Sequence, residues 1–331
     1  AEMNLMAEMT TPLVIAEAGV NHNGDCALAL ELVAAAAAAG ADIVKFQAFD
    51  AGSLVAEGTA TAAYQEANAG ATDQRRMLEA LALAHEDFAP IARECESRGI
   101  EFLCTLFDVE RIEEMRAIGM RRIKIASGEL TNIPALRHIG AFGLPVLLST
   151  GMADLPEVKR AIAALKQAGG DDVTLLHCTS LYPAPVESVN LRAIATLREE
   201  TGLPVGYSDH TLGDHVAVAA TALGACVIEK HFTLDRDLPG PDHKASITPA
   251  ELGLMISRLR ETASALGSGV KAPVPGEESV AALVRRSWHT RRDLARGAVI
   301  DEAKIPVFEG PETADGDELV YLHPKRERFH L

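Results

Sequence analysis

The stretches PVGYSDHT (204–211) and VIEKHFTLDR (227–236) decide how this chain folds. Each opens as an apolar run and closes on polar side chains, Ser208, Asp209 and His210 in the first and Glu229, Lys230 and His231 in the second. Polar groups clustered where a buried strand ends mark a site, because a core position tolerates them only when they are paired. Six earlier runs have the same form: LVIAEAGV (13–20), ADIVKFQAF (41–49), IEFLCTLF (100–107), RIKIASGE (122–129), PVLLSTGM (145–152) and VTLLHCTS (173–180). Runs rich in Val, Ile, Leu and Phe read as strands buried on both faces. Helical patterns lie between them over 27–40, 74–99, 108–119, 155–170 and 214–225, the first ending at Gly40 as a C′ residue and capped by Asp25. Strand then helix, eight times over 13–266, predicts a (β/α)8 TIM barrel. The alternative is a doubly wound open sheet, but no dinucleotide-binding glycine fingerprint follows the first strand.

In a barrel the functional residues sit at the C-terminal ends of the strands. Reading those ends collects Glu17, Asn21, His22, Lys45, Gln47, Thr105, Lys124, Ser127, Glu129, Ser149, Thr150, Ser180, Tyr182, Ser208, Asp209, His210, Glu229 and His231. His210 and His231 end adjacent strands, which lie about 4.8 Å apart, so both imidazoles can reach one Mn²⁺ or Zn²⁺ ion that keeps open positions for substrate oxygens. Two structural histidines give the same pattern. Lys45 and Lys124, with Thr105, Ser127, Ser149, Ser180 and Ser208, read as an anion pocket, point charge plus directed hydroxyl donors. A Schiff-base lysine and a salt-bridged mouth lysine stay open beside it. Glu17, Glu129 and Asp242 are candidate acid–base or hydroxyl-binding carboxylates. The segment NHNGD (21–25) is explained by turn geometry alone.

Composition narrows the classes. A net charge of −16 argues against non-specific nucleic-acid binding. Five cysteines (26, 95, 104, 178 and 226) show no paired metal spacing and read as reduced residues of a cytoplasmic protein. No apolar span of about 20 residues predicts a membrane helix. Residues 1–12 read as a leader, 13–266 as the barrel, 267–284 as a Gly- and Pro-rich linker and 285–331 as a small tail domain.

Taken in order, IAEAGVNHNGD, ADIVKFQAF, KIASGELTN, LLSTGMA, LLHCTSLYPAP, VGYSDHTLG and EKHFTLDRDLPGPDHKAS resemble the sialic acid synthase (N-acetylneuraminate synthase) family over residues 13–270. The tail segment RRSWHTRRDLARGAVIDEAKI resembles the start of that family's antifreeze-protein-like (SAF) domain. The resemblance implies metal-dependent condensation of phosphoenolpyruvate with an open-chain N-acetylhexosamine, with C–O cleavage releasing phosphate. It implies His210 and His231 as ligands of Mn²⁺, and Lys45, Thr105, Lys124, Ser127, Ser149, Ser180 and Ser208 as the phosphoenolpyruvate set. It implies Gln47, Asn68, Phe107, Tyr182 and Asp242 on the sugar side, and catalytic roles for Glu17, Lys45, Lys124, Glu129 and Asp242. The LPGPDHKAS loop (238–246) is similar to that of members making sialic or legionaminic acid. It further implies a domain-swapped homodimer in which an arginine of the small domain closes the partner's sugar site. Here VFEGPETADG (307–316) departs from that pattern and brings Glu309 near the arginine's place.

Overall fold

The computed structural model describes residues 11–56, 58–61, 65–66, 72–290 and 319–322. Asn68 and Glu309 lie outside them.

Eight parallel strands close a barrel in sequence order. They are β1 (Leu13–Gly19), β2 (Ile43–Ala48), β3 (Glu101–Leu106), β4 (Ile123–Ile125), β5 (Val146–Ser149), β6 (Val173–Cys178), β7 (Val205–Asp209) and β8 (Val227–His231). β8 closes on β1 with Glu17 level with His231, and Glu17 is also level with Lys45 of β2. The (β/α)8 reading therefore holds.

Strand alternation explains what fills the barrel. Ile15, Ile43, Leu103, Leu147, Leu176 and Val227 form one buried cluster inside it. On β7 the corresponding place is Gly206, where a Cβ would lie 2.7 Å from Leu176 and 2.8 Å from Val227, so the two large side chains meet over a glycine. Side chains two residues further along a strand share its face. That next layer is Glu17, Lys45, Thr105, Ser149, Cys178, Ser208 and Glu229, joined by Lys124 through its register with Thr105. An apolar plug thus supports a polar layer one pleat nearer the mouth. The opposite faces, with Val14, Ala16, Val44 and Phe46, pack into the outer core.

The helices start and stop on local chemistry. Asp25 caps Cys26–Ala39 by accepting from Ala27 N at 2.8 Å, and Gly40 ends that helix at φ 86. Asp154 and Glu157 exchange backbone hydrogen bonds at 2.8 and 3.0 Å to start Leu155–Gln167. The pattern over 74–99, read as one helix, is two, Gln74–Leu81 and Phe88–Arg98, with an extended Ala82 between. Pro90 accounts for the break: inside a continuous helix it would clash with the preceding turn, whereas the first turn of a new helix accepts it. Ile133–Gly140, Ala193–Thr201 and Pro249–Leu266 are further helices of the outer layer.

The chain divides into two compact units between Ser268 and Gly269. In the second, Glu277–Val284 is helical, so only the front of the stretch read as a linker is irregular. The Gly- and Pro-rich sequence stops at Gly276, and acidic residues then occupy the first helical turn, where the dipole favours them. Ser287–Thr290 pairs antiparallel with Leu319–Leu322.

Candidate active site

A cavity of about 510 Å³ opens at the C-terminal ends of the strands, its floor made by the polar layer. At its centre Glu229 receives two lysines. Lys45 Nζ lies 2.8 Å from Glu229 Oε2 and 3.3 Å from Glu17 Oε2, and Lys124 Nζ lies 3.8 Å from Glu229 Oε1. Ser208 donates to Glu229 Oε1 at 2.8 Å, Gln47 donates to Glu17 Oε1 at 3.1 Å, and Lys124 donates to Ser149 Oγ at 2.7 Å. The four ionisable groups are all at least 97% buried, so their charges interact strongly and are screened little.

Burial decides how they titrate. It pushes Glu17 up to about 7, with Lys45 opposing and Glu229 adding to the rise. It pulls Lys124 down to about 8, against the attraction of Glu229. Burial also presses Glu229 upward, but Lys124 and Lys45 outweigh it and hold this carboxylate well below the usual range. On Lys45, Glu17 and Glu229 outweigh burial and raise the ammonium. Below pH 7, therefore, two ammonium groups face one carboxylate and one neutral acid. The floor carries an excess positive charge in a chain of net charge −16, which suits a small anion.

Beside it stands a wall of small polar groups. Gly151 N donates to Ser127 Oγ at 3.0 Å, and Ser127 Oγ lies 3.2 Å from Cys178 Sγ. Ser180 and Thr105 also line the cavity. Across from them Val20, Met77, Leu78, Leu81 and Phe107 form an apolar wall, part of a hydrophobic cluster of its own.

The two histidines face each other with ring centroids 5.6 Å apart. His210 Nδ1 is 2.7 Å from the Thr179 carbonyl, which makes Nδ1 the donor and leaves Nε2 as a free lone pair. Burial lowers the pKa of His210, and burial with His210 beside it takes His231 well below the ordinary value, so both rings are neutral. His231 Nδ1 is buried without a hydrogen-bond partner and lies 3.9 Å from Asp242 Oδ2. Tyr182 stacks on His210 at 4.2 Å and meets His231 edge-on at 5.8 Å. Neutral nitrogens, one of them orphaned, fit a divalent ion that completes its shell with water or ligand oxygens. Among the described residues there is no group of three or more His, Cys, Asp or Glu side chains arranged to hold a metal. Burial raises Asp242 to about 6.

Glu17, Lys45, Gln47, Thr105, Phe107, Lys124, Ser127, Ser149, Ser180, Tyr182, Ser208, His210, His231 and Asp242 all line this one cavity. Five strand-end residues do not. Asn21 Nδ2 donates to the Phe232 carbonyl and to Ser246 Oγ, and His22 Nδ1 accepts from Gly24 N. Thr150 donates to the Leu176 carbonyl, and Asp209 pairs with Lys230. Glu129 is the fifth. β4 stops at Ile125, residues Ser127–Glu129 form a 3₁₀ turn, and Glu129 accepts from Asn132 Nδ2 at 2.8 Å at the start of the next helix. Conversely, Glu229 appears in the sequence only as a strand-end residue without a role. Its place on the face shared by Val227 and His231 was the available signal. The apolar wall carried none, because Met77 and Leu81 read as ordinary helix-face residues.

A closed parallel barrel with a buried lysine pair, an acid poised near neutrality and facing histidines at its mouth defines a barrel protein built to take a small anion beside a polar ligand. The chain belongs to the NeuB family, whose model matches residues 32–271. It is 50% identical over 300 residues to the N,N′-diacetyllegionaminic acid synthase of Legionella pneumophila, covering 89% of this chain and 84% of that protein. It is 43% identical to the enzyme of the same name from Campylobacter jejuni, covering 90% of each chain. Among solved structures it is similar to the N-acetylneuraminic acid (sialic acid) synthetase of Leptospira borgpetersenii, with a TM-score of 0.74 and 33% identity over 82% of this chain and 90% of that one.

Proposed function

We propose that this protein condenses phosphoenolpyruvate with an open-chain N-acetylated amino sugar, giving a nine-carbon 2-keto acid and inorganic phosphate. The buried Lys45–Glu229–Lys124 floor carries the reading. Lys45, Lys124, Thr105, Ser127, Ser149, Ser180 and Ser208 hold the phosphate and carboxylate; Gln47, Asn68, Phe107, Tyr182 and Asp242 hold the sugar. C3 of phosphoenolpyruvate bonds to the sugar carbonyl carbon, whose oxygen takes up a proton. Water adds at C2, and the C2–O bond to phosphate breaks to leave the keto group. Glu17, balanced near pH 7 beside Lys45, takes the proton that water loses. Asp242, near 6, exchanges a proton at the sugar oxygen. His210 and His231 would hold a divalent ion, Mn²⁺ first among candidates, supplying Lewis-acid polarisation of the sugar carbonyl. Glu129, held by Asn132 Nδ2 at the start of the helix after β4, is kept as a further catalytic carboxylate of the proposal.

The acceptor proposed is a 2,4-diacetamido hexose, with N-acetylmannosamine as the second candidate. The apolar wall suits additional methyl groups, and the relatives at 50% and 43% identity are diacetyllegionaminic acid synthases. Among the described residues the lysines lining the cavity are Lys45 and Lys124, both engaged by the anion floor, and no arginine lines it. This supports an unphosphorylated sugar. Met152, Leu181 and Leu212, on the loops after β5, β6 and β7, are at least half exposed and support a mouth covered in a homodimer. No helix among the described residues is long and apolar enough to cross a membrane, in keeping with a proposed cytoplasmic location.

The test is phosphoenolpyruvate labelled with ¹⁸O in the bridging C–O–P position. The label is expected in the released phosphate. Its retention in the keto acid would overturn the mechanism, and an imine trapped by borohydride on Lys124 would favour a Schiff-base aldolase instead.

A further inference from the structure

Behind the two histidines lies a buried ion pair that the mechanism above does not use. Asp209 and Lys230 are each 1% exposed, and Lys230 is among the largest fully buried side chains of the protein. Lys230 Nζ is 2.8 Å from Asp209 Oδ2 and also donates to the Thr211 carbonyl. Asp209 Oδ1 accepts from Thr211 N at 2.9 Å, Thr211 Oγ1 at 2.8 Å and Tyr207 OH at 3.3 Å. The two residues are partners in the β7–β8 register, and each immediately precedes one histidine.

We propose that Asp209 and Lys230 are positioning residues that lock β8 against β7 in the one register that brings His210 and His231 to a common divalent ion. Burying two charges is costly, and a well-packed apolar pair of similar volume would be as stable or more so. What an ion pair adds is selectivity among registers. A slip of one residue would turn Lys230 into the barrel and Glu229 and His231 out of it. A slip of two keeps the faces but leaves both charges buried and unpaired, which is strongly disfavoured. Thr211 extends the lock past His210, since its N–H, hydroxyl and carbonyl all bind the pair. The inference rests on the metal reading of His210 and His231.

The experiment titrates the full chain with Mn²⁺ alone and follows the free-ion signal by electron paramagnetic resonance. The double variant Asp209→Asn with Lys230→Met removes both buried charges together, so neither is left unpaired, and keeps an acceptor for Thr211 N. It is expected to melt near the wild-type temperature yet bind Mn²⁺ at least tenfold more weakly, in the range known for residues that support metal ligands. Wild-type affinity in the folded double variant would overturn the proposal and leave the metal reading intact. Mn²⁺ binding by the wild type that His231→Ala leaves unchanged would overturn both. Should the double variant not fold, Thr211→Val removes one donor to Asp209. A severalfold loss of Mn²⁺ affinity is then expected, and no loss overturns the lock.

Discussion

At the scale of single residues, the account turns on Glu229 as shared counter-ion of two lysines. Lys124 is charged below its pKa of about 8, so phosphoenolpyruvate affinity should be full below pH 8 and fall as the pH rises through it. Glu229→Gln removes a neighbour that raises Lys124, so this limit should move to lower pH, seen as an earlier rise in KM for phosphoenolpyruvate. An unmoved limit would separate Glu229 from the lysines. Lys124→Met should raise that KM about 10- to 100-fold, as expected for losing a charge-assisted bond worth about 1.5–3 kcal/mol, with KM for the sugar little changed. Most of this floor was legible in advance. Lys45, Thr105 and Ser149 each fall two residues beyond an inward-facing apolar side chain (Ile43, Leu103 and Leu147) and Ser208 two beyond Gly206, where alternation points a side chain back into the barrel. Glu229 escaped assignment because donors for an anion stand out in a sequence, whereas the counter-ion that keeps those donors buried does not.

At the scale of elements, the turn after β5 and the helix Gln74–Leu81 shape opposite walls. A Cβ on Gly151 would collide with Ser180 Oγ and lie 2.9 Å from Ser127 Oγ. Gly151→Ala should therefore cost about 1–3 kcal/mol of stability by overpacking, with a lowered melting temperature and a raised KM for phosphoenolpyruvate. Leu78, on the apolar wall, should respond differently. Leu78→Ser is expected to raise KM for the amino sugar severalfold and leave KM for phosphoenolpyruvate alone. Equal effects on both would remove the wall from acceptor recognition. Strand positions were legible because eight similar apolar runs repeat, but their ends were not. The run 122–129 reads as one unit, although only Ile123–Ile125 pairs as strand and Glu129 falls in the 3₁₀ turn beyond it. The split at Ala82 required weighing Pro90 above the helical periodicity on either side of it.

At the scale of the whole molecule, the chain joins a barrel unit to a small second unit beginning at Gly269. The barrel was legible because every strand announces itself by composition. The tail sequence carries no comparable repeat, and only its resemblance to a small domain was legible. The proposed ion site belongs to this scale because it needs the closed barrel: β8 must meet both β7 and β1 to bring His231 to His210 and Glu17. Removing the ion with a chelator should abolish turnover, and Mn²⁺ should restore it. The central claim is tested most directly by phosphate release from phosphoenolpyruvate in the presence of Mn²⁺, across 2,4-diacetamido hexoses, N-acetylmannosamine and unmodified hexoses. The account predicts release that depends on an N-acetylated sugar, fastest with a diacetamido acceptor. Phosphate released equally without any sugar, or with unmodified hexoses alone, would contradict it.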